Sequence, residues 1–161
     1  MRFGQVSILS VAHVDAPHRV TSADMAAQLA PTLQRFGMRP DLLEMASGIV
    51  ARRYWDPGFQ PSQAATLAAE KAIAEAGIER SRIGVIINTS VCRDFIEPST
   101  ASLVHGNLGL PPSCLNFDLG NACLAFLNGM EVAGHLIESG QIDYGLVVDG
   151  ESARYVQEAT M

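Results

Sequence analysis

The chain has 161 residues, of which 48% are hydrophobic and 17% are charged, a composition that fits one compact domain with a sizeable core. Its formal net charge of −6 argues against a nucleic-acid binder, because such proteins carry an excess of Lys and Arg. Three cysteines without CxxC spacing argue against a zinc ribbon or a disulfide scaffold and indicate reduced thiols in the cytoplasm. No apolar run approaches the ~20 residues of a membrane span.

Strands and helices are predicted to alternate along the whole chain. Thr21 and Asp24 form a capping-box sequence, Pro31 should kink or end the helix that follows, and Gly48 and Gly77 should stop two later helices. The predicted elements, in chain order, are a strand over residues 6–12, helices over 22–30, 41–47 and 62–76 (the last capped by Ser62), a strand over 83–87, a helix from Pro98 to Leu108, a strand over 114–119, a helix over about 122–139 and a strand over 144–149. This order predicts a layered α/β sheet.

The helix predicted over residues 122–139 is apolar around most of its circumference, which is typical of a buried helix. Gly129 and Gly134 should let neighbouring backbones approach it closely. Its polar side chains form one narrow stripe, made of Asn128, Glu131, His135 and Glu138. A central helix of this kind needs cover on two sides, so we expect a second layer of structure that this chain does not itself supply.

Nucleotide-binding and metal-binding motifs are missing from the sequence. There is no GxGxxG, GxxxxGKS/T, HExxH or EF-hand pattern, and the four histidines are scattered. The NTS triplet that begins at Asn88 matches a glycosylation acceptor, which we interpret as a chance match at the end of a strand. We therefore expect no metal site and no nucleotide cofactor.

Cys123 stands out because it follows a strand and a short turn, at the start of the predicted buried helix. The partial positive charge and free backbone N–H groups of a helix N-terminus favour a thiolate, the nucleophilic form of cysteine, and can also hold an oxyanion. The alternative is an inert buried cysteine, which is common in apolar helices. Cys92 and Cys114 lack this placement, and we interpret them as structural.

Several segments together resemble one enzyme family. They are LGNACLAFLNG over residues 119–129, SGIVARRYW over 47–55, PS at 61–62 before an alanine-rich helix, and IINTS over 86–90. They are similar to the thiolase-superfamily condensing enzymes, including the 3-oxoacyl-[acyl-carrier-protein] synthase III group. The stretch NTSVCRDFIEPST over residues 88–100 is most similar to the olefin-biosynthesis branch, which joins two fatty acyl chains head to head.

The resemblance implies that residues 1–161 are the N-terminal half of a layered α-β-α-β-α fold, with a mixed sheet and a buried central helix. It also implies that Cys123 becomes acylated from acyl-CoA or an acyl carrier protein, and that a second acyl chain condenses onto it by Claisen chemistry without a cofactor. Glu97 takes the place of the glutamate base that reaches into the partner subunit of a homodimer. Its alternative reading is a solvated carboxylate before Pro98.

Two departures from the family keep other functions open. Leu42 and Ala46 stand where the chain-initiating synthases, which use malonyl-acyl carrier protein, have the Trp and Arg that grip coenzyme A. The His and Asn partners of the cysteine belong to the family's C-terminal half, which this chain lacks. We therefore expect the isolated chain to be inactive in condensation, and a non-catalytic partner or split subunit is the alternative from another class.

Overall fold

A computed structural model describes residues 2–152, which form two compact units. The smaller unit contains residues 15–58, and the larger one contains residues 2–14 and 59–152. Each unit is described separately below.

The smaller unit combines a two-stranded antiparallel sheet with three short helices. Strand β1 (His18–Thr21) pairs with β2 (Ala51–Tyr54), and the helices are α1 (Ser22–Gln28), α2 (Ala30–Arg35) and α3 (Leu42–Ser47). The predicted capping box is confirmed, since the Asp24 backbone N–H donates to Thr21 Oγ1 at 3.0 Å and the Thr21 N–H donates to Asp24 Oδ2 at 3.0 Å. Pro31 lies in the first turn of α2, so the predicted break is real. Gly48 ends α3 with a φ of 69°.

The predicted first strand is wrong. Residues 6–12 belong to no strand, and the side chains of Ile8, Leu9 and Val11 are exposed. Backbone hydrogen bonds to a neighbour define a strand, and no strand among the described residues pairs with this segment. The sequence analysis also missed β1 and β2, because their charged residues hide any alternation of apolar side chains.

The larger unit is a three-layer α/β/α arrangement around a parallel sheet. Its strands are β3 (Ile83–Asn88), β4 (Leu115–Asp118) and β5 (Tyr144–Val148), in the order β4-β3-β5. Helices α4 (Pro61–Ala76) and α5 (Thr100–Leu108) pack on the face that contains Ile86, and helix α6 (Ala125–Glu138) packs on the face that contains Val85 and Ile87. Strand β3 is almost fully buried, as its apolar sequence predicted.

The starts of α4 and α5 differ from their predicted positions. Helix α4 begins at Pro61 with Gln60 as its N-cap, so Ser62 lies inside the first turn and is not the cap. Helix α5 begins at Thr100, and its cap is Ser99, whose Oγ accepts the Ser102 N–H at 3.2 Å. Pro98 therefore precedes the helix. In both places another residue could satisfy the free N–H groups, and sequence alone did not rank the candidates.

Helix α6 is buried along one face only in this chain. Ala125, Gly129 and Ala133 are buried, whereas Phe126 and Leu127 remain 37% and 61% exposed. A Cβ on Gly129 would lie 2.9 Å from Thr89 Cγ2 and 3.0 Å from Val147 Cγ1, so the glycine does allow a close approach, although to side chains and not to a backbone. The apolar exposed face is consistent with the expectation that further structure covers this helix.

The polar stripe of α6 holds the beginning of the chain. The Gly4 and Gln5 N–H groups each donate to the Glu138 carboxylate at 2.9 Å, and these bonds lower the pKa of Glu138. The Phe3 ring meets the His135 ring edge-on at 5.2 Å.

Within residues 2–152, the helices fall short of the length or apolarity that crossing a bilayer requires.

Candidate active site

The candidate site lies at the carboxyl ends of the parallel strands, where polar side chains collect. Asn88 ends β3, Asp118 ends β4 and Asp149 directly follows β5. Since parallel strands end at the same edge of a sheet, these residues and the turns after them are neighbours. Ligands of open α/β sheets usually bind at this edge.

Cys123 lies in the turn between β4 and α6 and is exposed. The structure corrects its predicted position, because residues Ala122–Leu124 form a 3₁₀ turn and α6 begins only at Ala125. Ala122 has a φ of 45°, a left-handed conformation that costs an L-residue roughly 1–2 kcal/mol. Strained backbone next to a candidate nucleophile is a recurrent feature of active sites. The N-cap residue Leu124 makes no side-chain hydrogen bond to the first turn of α6. No cap side chain therefore competes with an oxyanion for the backbone N–H groups of that turn.

The other two cysteines are less suited to act as nucleophiles. Cys114 is buried, and burial raises the pKa of its thiol. Cys92 is half-buried, and burial together with the hydrogen bond and negative charge of Glu151 raises the pKa of its thiol. Both thiols are therefore biased toward the unreactive protonated form. This contrast supports the choice of Cys123.

Glu97 lies on the exposed loop of residues 91–99, here called the Glu97 loop. The carboxylate itself makes no hydrogen bond or ion pair with any described residue. The apolar side chains just before it, Phe95 and Ile96, are 58% and 91% exposed. Glu97 and Cys123 therefore share one edge of the larger unit without a direct bond, and the loop presents an acid beside uncovered apolar surface.

Two carboxylates, those of Glu151 and Asp94, attach the Glu97 loop to neighbouring segments, and the sequence analysis missed both. Glu151 accepts the Val91 N–H at 2.6 Å and the Cys92 N–H at 3.1 Å. Asp94 accepts the Ser62 N–H at 2.9 Å and the Ser62 hydroxyl at 2.5 Å, which attaches the middle of the loop to the start of α4. The available signal was the set of acidic residues that follow strand ends or precede helix starts.

The NTS triplet is also part of this edge and is not a surface acceptor. Asn88, Thr89 and Ser90 are all buried. Ser90 Oγ donates to Asn88 Oδ1 at 2.7 Å and accepts the Gly150 N–H at 2.7 Å. Thr89 Oγ1 donates to the Val148 carbonyl at 3.0 Å. The triplet therefore ties the end of β3 to the end of β5.

The carboxyl of Asp149, also at this edge, has a raised pKa. Nearby protein atoms partly desolvate the carboxyl, although the residue as a whole is exposed, and the negative charge of Glu151 acts in the same direction. A hydrogen bond with Thr89 opposes both effects.

Among residues 2–152, no group of three His, Cys, Asp or Glu side chains is arranged to hold a metal ion.

Sequence comparison places this chain beside acyl-condensing enzymes. Residues 117–159 match the family described as 3-Oxoacyl-[acyl-carrier-protein (ACP)] synthase III. All 161 residues align with the acyl-CoA:acyl-CoA alkyltransferase of Xanthomonas campestris pv. campestris at 53% identity, and with that of Shewanella oneidensis at 40% identity. The chain covers 48% and 46% of those two proteins, so it spans about half the length of the curated relatives it matches.

Solved structures agree with the sequence relatives. A crystal structure of Xanthomonas campestris OleA matches 98% of this chain and 46% of its own chain, with 53% identity and a TM-score of 0.93. The 3-oxoacyl-(acyl carrier protein) synthase III, FabH, of Xanthomonas oryzae pv. oryzae matches 99% of this chain and 47% of its own, with 54% identity and a TM-score of 0.94. The chain therefore has the predicted thiolase-like fold and is related to the acyl-condensing enzymes of the 3-oxoacyl-[acyl-carrier-protein] synthase III type.

Proposed function

We propose that this chain carries the nucleophile and the base of an enzyme that condenses two fatty acyl-CoA molecules into a 3-keto product. The Cys123 thiolate attacks the carbonyl carbon of the first acyl thioester, and coenzyme A leaves as its thiolate, which takes up a proton from water. Glu97 then removes a proton from the carbon beside the carbonyl of the second acyl-CoA. The resulting carbanion attacks the acyl group on Cys123, so the new carbon–carbon bond forms as the sulfur leaves.

The observation that carries this proposal is the position of Cys123 in an exposed turn at the carboxyl end of β4, preceded by the strained Ala122. The relatives named acyl-CoA:acyl-CoA alkyltransferase supply the substrate class. Spacing supports both site residues. Solved variants of the Xanthomonas campestris protein replace a glutamate and a cysteine that lie as many residues apart as Glu97 and Cys123.

The surroundings of Glu97 suit a base that acts in an apolar site. Abstraction of a proton beside a thioester needs a carboxylate with little water around it, and Phe95, Ile96 and Pro98 could exclude water once a second surface covers them. We propose that this surface belongs to a second copy in a homodimer, in which the loop of each subunit reaches the site of the other. The proposed location is the cytoplasm, where thiols stay reduced.

A second candidate is a 3-oxoacyl synthase that uses malonyl-acyl carrier protein. The family match over residues 117–159 and the similarity to the Xanthomonas oryzae structure favour it. Leu42 and Ala46 argue against it, because they replace the Trp and Arg expected of the chain-initiating enzymes. In that reaction loss of CO₂ generates the carbanion, so no base would be needed at position 97.

Mass spectrometry and mixing experiments separate these proposals. The chain is incubated with a long-chain acyl-CoA, alone and after co-expression with the remaining part of the Xanthomonas campestris relative. We expect a covalent acyl adduct on Cys123 in both cases, and a 3-keto product only in the completed protein, because each missing acid–base group typically contributes ~10²–10⁴-fold. The Cys123→Ser variant should lose the adduct, and Cys92→Ser is its control. An adduct that survives Cys123→Ser would refute the assignment of the nucleophile.

The role of Glu97 is tested in the completed protein. Glu97→Gln should keep acylation of Cys123 and lose carbon–carbon bond formation, whereas the exposed Glu75→Gln should change neither. Mixing a Glu97→Ala chain with a Cys123→Ser chain should restore part of the activity if each site draws residues from both subunits. Condensation at the parent rate by Glu97→Gln would make the carboxylate structural, and malonyl-acyl carrier protein would then be the substrate to test.

A further inference from the structure

The end of the Glu97 loop is fixed to a single buried carboxylate, that of Asp118. This side chain is 8% exposed and accepts the Thr100 N–H at 3.0 Å and the Ala101 N–H at 2.8 Å, so it holds the start of α5 directly after the loop. It also accepts the Asn88 amide at 3.2 Å. A carboxylate with three such donors has a single well-defined orientation, since every donor comes from the backbone or from a buried side chain.

The same carboxylate reaches back to the beginning of the loop through Arg93. Arg93 Nε lies 3.9 Å from Asp118 Oδ2. The other end of the guanidinium lies against the turn that leads to Cys123, because a Cβ built on Gly120 would stand 3.6 Å from Arg93 Nη2. Asp118 therefore interacts with Arg93, which precedes Glu97 in the loop, and with the start of α5, which follows the loop.

Asp118 is also the last residue of β4, and Cys123 follows it by five positions. The intervening turn is short and is fastened at two points. The Leu119 N–H donates to the Asn88 carbonyl at 2.9 Å, and the Asn121 amide donates to Asn128 Oδ1 on α6 at 2.7 Å. The turn that contains Cys123 is therefore held by its own hydrogen bonds. A rotation of the Asp118 side chain would move the Glu97 loop relative to Cys123.

We infer that Asp118 is a positioning residue, which fixes the Glu97 loop and the Cys123 turn on one rigid frame. The inference rests on the proposed function in so far as Glu97 and Cys123 carry the chemistry. In a two-fold dimer the same frame sets how far each loop projects toward the partner. Positioning matters because a misplacement of about 1 Å can lower a rate about 100-fold.

A distance measurement tests the inference without any substrate. Nitroxide labels are placed on Ile96→Cys, which is 91% exposed, and on the native Cys123, after replacement of Cys92 and Cys114 by serine and alanine. Pulsed electron paramagnetic resonance then gives the distribution of distances between the labels. Asp118→Asn should turn one narrow peak into a broad distribution, because the amide NH₂ cannot accept the N–H bonds that hold the start of α5.

Two further variants keep the test decisive. Asp143→Asn is the matched control, since Asp143 is an exposed carboxylate that pairs with Arg82 at 3.1 Å before β5, at the opposite end of the strands, and it should leave the peak narrow. Arg93→Gln removes only a half-exposed partner of Asp118, so it should fold even if Asp118→Asn does not, and it should broaden the peak. A narrow, unmoved peak in a folded Asp118→Asn or Arg93→Gln chain would overturn the inference.

Condensation by the completed protein separates this inference from the proposed function. Asp118→Asn should lower kcat for condensation roughly 100-fold while KM for acyl-CoA stays nearly constant, because the loop is displaced and the acyl-binding surface is unchanged. A parent protein that never condenses acyl chains, with a peak that still broadens in the variants, would reject the function and leave the positioning role intact. A parent that condenses, with unaffected variants, would reject the positioning role alone.

Discussion

Gly150, two residues after the end of β5, should tolerate no side chain, and Gly150→Ala should therefore destabilise the larger unit strongly. Its N–H donates to Ser90 Oγ at 2.7 Å in a buried position. An added Cβ would stand 2.7 Å from the Ala65 nitrogen and 3.0 Å from Ala65 Cβ, and would collide with the Pro61 carbonyl oxygen. Two of these three atoms belong to the backbone of α4, so no side-chain rotation can relieve the collision.

The expected cost follows from the kind of neighbour. Overpacking in a core typically costs about 1–3 kcal/mol, and a collision with helix backbone belongs at the upper end of this range. For an m-value of about 2 kcal/mol/M in urea, a loss of about 3 kcal/mol lowers the unfolding midpoint by about 1.5 M. Because Glu151 follows Gly150 and binds the start of the Glu97 loop, the variant should also increase hydrogen exchange at the Val91 and Cys92 amides.

Gly106→Ala is the matched control, with the opposite sign. Gly106 lies inside α5, is exposed, and has no atom within 4 Å of an added Cβ. Alanine at such a site should stabilise the protein by about 0.5–1 kcal/mol, because glycine loses more backbone entropy in a helix. Urea unfolding followed by circular dichroism measures both variants. A Gly150→Ala midpoint equal to or above that of the parent would refute the packing argument.

Three further predictions concern single side chains. Iodoacetamide should label Cys123 faster than Cys92 or Cys114 near neutral pH, since the latter two are less accessible and have raised pKa values; equal rates measured by peptide mass spectrometry would contradict this. Asp149→Asn should raise the midpoint of urea unfolding at neutral pH, because a carboxyl whose pKa is raised in the folded protein lowers stability when it is ionised. This gain in stability should vanish as the pH falls below the ordinary pKa of aspartate. A gain that persists at low pH would have another cause. Thr100→Val should raise the melting temperature, since the buried Thr100 hydroxyl has no hydrogen-bond partner among residues 2–152 and such a group costs about 1–3 kcal/mol. A loss of stability would show that the hydroxyl is paired in solution.

Local patterns were sufficient to predict most of the helix ends. Gly48 and Gly77 end helices because each adopts a left-handed conformation that other residues avoid, and Pro31 separates two helices because it lacks an N–H donor. The apolar run of β3 likewise predicted a strand covered on both faces. These features depend on residues close together in sequence, so the sequence contains the whole physical cause.

The strand pairings could not be read in this way. Residues 6–12 have the composition of a strand but form none among the described residues, whereas the charged β1 and β2 pair with each other. Pairing is a contact between distant segments, and its free energy depends on which edge is available and not on the composition of one segment.

The prediction of the candidate site shows the same division. Sequence alone predicted that Cys123 follows a strand and that Glu97 lies beside apolar residues, because both statements concern near neighbours along the chain. It placed Cys123 in the first turn of the helix, whereas the helix begins only at Ala125. Only the tertiary structure decided that Asp118, 18 residues from Thr100, and Glu151, 60 residues from Val91, hold the loop in place. A carboxylate has no sequence pattern that indicates its distant donors. Those donors are brought to it only because parallel strands, and the loops that follow them, meet at a common edge of the sheet.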